Sequence, residues 1–121
     1  GGVDFNIEET LNNIIFAVEV AQANGLKVIV VTPAAVKDPC DGASQGITCN
    51  DIDARIQELS NAIESRLNVP VINLNSLFRE DSRFNNPPGS FDSLFINAGL
   101  HFKLDTGDKL LADNVLKILE Q

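Results

Sequence analysis

The chain is short of the groups on which most binding and catalytic chemistry is built. It has one histidine, so any imidazole chemistry must run through His101. It has two cysteines, Cys40 and Cys49, and a pair with neither a second cysteine pair nor a neighbouring histidine makes a poor zinc site. Basic side chains are outnumbered, 9 Lys and Arg against 17 Asp and Glu. The net charge of −8 and pI near 4.4 argue against nucleic acid or an anionic membrane surface as partner, because both are held chiefly through clustered Lys and Arg. No apolar run approaches the length that spans a bilayer. EF-hand spacing, a phosphate-cradling glycine loop, internal repeats and low-complexity tracts are also missing. No signal peptide is visible ahead of Gly1-Gly2, as in a mature or trimmed product.

What remains is a chain of 121 residues, 44% apolar and with mean hydropathy near zero, which predicts one domain over residues 1–121 with a modest core. Asn6 and Glu9 form a capping-box-like pair. Ile7, Leu11, Ile14, Ile15, Val18 and Ala21 follow at helical spacing, and Gly25 closes the helix. Lys27 to Thr32 (KVIVVT) lacks alternation and predicts a strand covered on both faces. A second helix starts at Asn50 or Asp51 and buries Ile52, Ile56, Leu59, Ile63 and Leu67; a second strand runs from Val71 to Leu74. Arg79 to Ser93, with Asn-Asn-Pro-Pro-Gly at its centre, reads as a long surface loop. Helix, strand, helix, strand, helix is the rhythm of a parallel α/β sheet.

Between the cysteines lies DGASQGIT, a short polar loop whose ends can close as a disulfide, with free thiols or metal ligation as the alternatives. An oxidised pair implies folding outside the reducing cytoplasm, hence a secreted or periplasmic protein.

The last stretch, FINAGLHFKLDTGDKLLADNVLKILEQ, sets His101 between Gly99 and a helix. Asp105 is its expected N-cap, with Asp108 three positions on, and Leu111, Val115, Ile118 and Leu119 form its buried face. His101 is therefore expected on a loop pinned by a packed helix, where catalytic residues tend to be mounted.

Gly99, Leu100, His101, the Gly107 region and Leu111-Ala112-Asp113 resemble the histidine block of the SGNH (GDSL-type) hydrolases, a family of serine esterases, lipases and acyl hydrolases. Ala98 stands where that block carries its acid. Near the start, Gly2, Val3 and Asp4 resemble the family's Gly-x-Asn-Asp block, with Val3 at the position of the oxyanion-hole Asn. A valine side chain donates no hydrogen bond, so that contact is lost. Asp92-Ser93-Leu94 invites comparison with the Gly-Asp-Ser-Leu nucleophile block but follows Pro-Pro-Gly and lacks the leading Gly, and it is set aside.

The resemblance implies a three-layer flavodoxin-like parallel sheet flanked by helices, of which this chain carries only the C-terminal half. It implies ester hydrolysis with His101 as general base, a serine supplied by an N-terminal part outside this sequence, and no cofactor. The expected partners are an ester-bearing small molecule, lipid or acylated carbohydrate, and a complementary N-terminal chain or a second copy. The competing expectation is a catalytically degenerate module that keeps the scaffold to bind; Ala98 and Val3 both favour it. An unrelated flavodoxin-like or receiver-like domain fits less well, because the loops that would bind its ligand are absent.

Overall fold

The computed structural model describes residues 6–36, 46–81, 95–96, 101–102 and 104–121. Helix α1 (Ile7–Ala23) begins as its sequence requires: the Asn6 side chain accepts the Glu9 N–H at 3.1 Å, and Glu8 and Glu9 lie in the first turn. It ends at Gly25, whose φ of +79° suits a residue without a Cβ. There the Gly25 N–H donates to the Gln22 carbonyl and the Leu26 N–H to the Ala21 carbonyl, both at 3.0 Å, closing a Schellman motif.

Strand β1 (Val30–Val31) pairs in parallel with β2 (Val71–Ile72), in the register Val30 to Val71 and Val31 to Ile72. Helix α2 (Cys49–Arg66) makes the crossover between them. Its capping box is complete: the Thr48 hydroxyl accepts the Asp51 N–H at 3.1 Å and the Asp51 carboxylate accepts the Thr48 N–H at 2.9 Å. The Thr48 backbone bond first, and the Thr48 side chain after it, hold the Asp51 carboxyl below its ordinary value. Arg66, in the last turn of α2, reaches Glu8 of α1 at 3.1 Å.

The three-layer flavodoxin-like sheet is not what the chain forms. The described residues are mostly helical, and their parallel sheet has two strands of two residues each. The short span of β2 has causes at both its ends. Pro70 before it has no N–H for a ladder, although its carbonyl accepts the Val30 N–H at 3.0 Å. Asn73 after it turns its side chain to cap the next helix, accepting the Ser76 N–H at 3.0 Å. That helix, α3 (Leu74–Glu80), takes Leu74 from the expected strand and Arg79 from the expected loop.

The C-terminal stretch also differs from expectation. Strands β3 (Phe95–Ile96) and β4 (His101–Phe102) pair antiparallel, with Ile96 opposite His101, so His101 lies on a ribbon and not on a loop. Leu104–Asp108 then forms a π-helical turn and α4 covers Lys109–Leu119. Asp105 thus falls inside the turn and is not the N-cap; Asp108 occupies that position in helical conformation with no side-chain cap bond. On α4, Leu111, Val115 and Ile118 are half-buried, whereas Leu119 is 67% exposed.

Two apolar clusters hold these elements. Leu11, Leu59 and Ile63 pack with Val30 and Val71 and fasten α1 and α2 to the sheet. Ala35, Leu74 and Phe78 pack with Leu110 and Leu111 and seat the start of α4 on α3 and on the segment after β1. The predicted stripe of α2 is buried at Leu59 and Ile63 and half-buried at Ile52, Ile56 and Leu67.

Candidate functional site

The polar residues of the interior gather where the two parallel strands end. Thr32 follows β1 and Asn73 follows β2, and both are buried, as are Asn75 and Ser60. The single Thr32 hydroxyl proton faces the Pro33 carbonyl at 3.1 Å and Asn73 Oδ1 at 3.4 Å, while Thr32 Oγ1 accepts the Asn75 N–H at 3.3 Å. Asn73 Nδ2 donates to Glu64 Oε2 at 2.6 Å and to Asn61 Oδ1 at 3.4 Å, tying the end of β2 to α2. Asn75 Oδ1 accepts Arg79 Nε at 3.1 Å, and Arg79 also pairs with Asp53 of α2. The other Asp53 oxygen accepts the Val36 N–H at 2.9 Å, so one carboxylate fixes both α3 and the segment after β1.

This network shapes the carboxyl end of the sheet, the side on which open α/β sheets take their ligands. Its chemistry is positional. The partners of the Thr32 hydroxyl are two amide-type oxygens and a backbone N–H, none of them a base that could turn it into a nucleophile. Asn75 Nδ2 is buried without a hydrogen-bond partner. Beside Asn73, a cleft of about 460 Å³ opens between β2, α3 and α4, lined by Ile72, Ser76, Leu77, Asn114 and Ile118 among others.

His101 is linked in sequence to a helix whose start is seated at this end of the molecule. Strand β4 leads through the π-helical turn, which contains the buried Gly107, into α4, and the first turn of α4 sits on Ala35, Leu74 and Phe78 just beyond the ends of β1 and β2. Cys49 is buried at the first position of α2 and is not a free thiol. Gly2, Val3, Asp4, Cys40, Ala98 and Gly99 lie outside the described residues, as does Ser93. No protein-family model matches the chain, and no curated protein matches it significantly. Among the described residues, no three His, Cys, Asp or Glu side chains gather to hold a metal, and no helix is long and apolar enough to cross a membrane.

Sequence reasoning passed over Thr32, Asp53, Asn73, Asn75 and Arg79. The signal was there in VINLN: polar residues at alternate positions directly after an apolar strand are poor candidates for more strand and good ones for a cap.

Proposed function

We propose that this chain is the histidine-bearing part of an SGNH-type serine ester hydrolase, secreted or periplasmic, with Cys40 and Cys49 closed as a disulfide. The observation that supports this reading is the seating of the start of α4, the helix that follows the His101 strand in the chain, on Ala35, Leu74 and Phe78 just beyond the ends of the parallel pair. The residues of the histidine block and the placement of Asn73 beside an open cleft support it. The nucleophilic serine comes from another polypeptide segment, since Ser93 lacks its block. His101 takes the proton of that serine as the Ser Oγ–carbonyl bond forms, then returns it to the leaving alcohol as the ester C–O bond breaks; water completes the cycle by hydrolysing the acyl-enzyme. The substrate class is an ester-bearing small molecule, lipid or acylated carbohydrate. A binding module with the same scaffold is the second reading, favoured by Ala98 in place of the acid and Val3 in place of the Asn.

The test is hydrolysis of 4-nitrophenyl acetate by the chain alone and by the native assembly in which it occurs, with intact mass under native and denaturing conditions. The expected result is an inactive 13.1 kDa species and an active assembly containing a second polypeptide, whose activity falls at least ~10³-fold in His101→Ala. An active assembly indifferent to His101→Ala overturns the catalytic role. An inactive assembly moves the conclusion to the binding module.

A further inference from the structure

The C-terminal half of helix α1 is apolar on two opposite sides, and only one of them is used. Leu11 is fully buried against α2 and the sheet, with Ile7 and Ile14 beside it. Phe16 and Val20 lie about 140° and 180° round the helix from Leu11, at roughly 100° per residue. They are 68% and 46% exposed, and Ala17 and Ala23 beside them are exposed as well. A helix that faces water on its outer side normally carries charge there. Here Phe16 and Val20 stand one turn apart and form a continuous ridge with the two alanines.

The charges around the ridge have one sign. Glu9 lies on the same line of the helix, two turns before Phe16, and Glu19 is the i+3 neighbour of Phe16. The only acid of α1 in an ion pair among the described residues is Glu8, which meets Arg66; α1 has no Lys or Arg at all. A second copy docked through this same face would set these acids against their own kind, with no cation on α1 to answer them and a net charge of −8 on each molecule.

We infer that the outer face of α1, centred on Phe16 and Val20 and flanked by Glu9 and Glu19, is a docking surface for a basic amphipathic helix of a partner protein. Its apolar stripe covers the ridge, and its Lys or Arg residues answer the two carboxylates. The surface is independent of His101 and of the carboxyl end of the sheet.

The probe is a labelled amphipathic helical peptide of Leu and Lys, about 18 residues long so that it can hold a helix, beside its Leu and Glu counterpart. Fluorescence anisotropy should show saturable binding of the Lys peptide and none of the Glu peptide. The Phe16→Ala/Val20→Ala and Glu9→Gln/Glu19→Gln double variants should each weaken binding roughly tenfold, and added salt should weaken it further. All four side chains lie on exposed positions, so both variants should keep the parent circular dichroism spectrum, which is to be checked. Parent-like affinity in both variants overturns the inference, since the peptide would then bind elsewhere. Concentration-dependent self-association abolished by Phe16→Ala/Val20→Ala overturns it in favour of a second copy.

Discussion

Thr32 and Asn75 join the ends of the two parallel strands through a bond neither strand makes itself: the Asn75 N–H donates to Thr32 Oγ1 at 3.3 Å across 43 positions of sequence. Thr32→Val keeps the shape and removes the acceptor, leaving a buried N–H unpaired. The expected loss is about 1–3 kcal/mol in urea unfolding. Thr32→Ser, which keeps the hydroxyl, should recover most of it.

Gly25→Ala separates backbone strain from crowding. The added Cβ meets no atom within 4 Å, so only the φ of +79° opposes it. A loss of about 1 kcal/mol is expected in the thermal midpoint analysis, with Gly25→Asn losing less.

Phe78 and Ile63 belong to different apolar clusters. Phe78→Ala should lose about 3–5 kcal/mol and Ile63→Val about 0.5–1.5 kcal/mol. Because the clusters share no residue, the double variant should lose the sum to within about 0.5 kcal/mol in a denaturant-based double-mutant cycle. A larger coupling would show that the two clusters are one.

Asp51 sets a pH dependence. Its folded pKa is depressed below the ordinary 3.8 by the Thr48 bonds, so near that pH the unfolded chain binds more protons than the folded one. Its contribution is therefore complete above 3.8 and is lost as pH falls through the lower, folded value. Urea midpoints measured from about pH 6 downward should show a shallower acid limb in Asp51→Asn than in the parent. Thr48→Ala, which removes the acceptor for the Asp51 N–H, should lose about 1 kcal/mol at neutral pH.

The helices with local signatures were legible from the sequence: Asn6 caps α1 through the Glu9 N–H, without the return bond of a full box, Gly25 ends it, and the stripe of α2 is buried at Leu59 and Ile63 and half-buried at Ile52, Ile56 and Leu67. The sheet was overread because an apolar run says nothing of how many neighbours it will have. VINL looks like strand until Asn73 is seen to cap, and a cap is decided by where the chain turns next. α4 was misread at both ends for a related reason. An aspartate marks a helix start only if the turn before it is not already helical, and Leu119 is apolar without being covered. Of the candidate site, only the histidine carried a composition signal. In the Thr32, Asn73 and Asn75 network, the VINLN pattern marks Asn73 as a cap, but its meeting with Thr32 depends on two strand ends coming together across 41 positions and has no local trace.

The pairing of β1 with β2 has a consequence for how this chain reaches its native state. Thr32 and Asn73, which close the sheet, are 41 positions apart, and only two ladder positions on each side reward that closure. α1, with its cap and Schellman end, depends on neighbours a few residues away and can form early. The sheet must wait for α2 to dock, so the entropy of closing a separation of 41 positions falls late on the route. The helices are then the framework of the folding reaction and the sheet is its clasp.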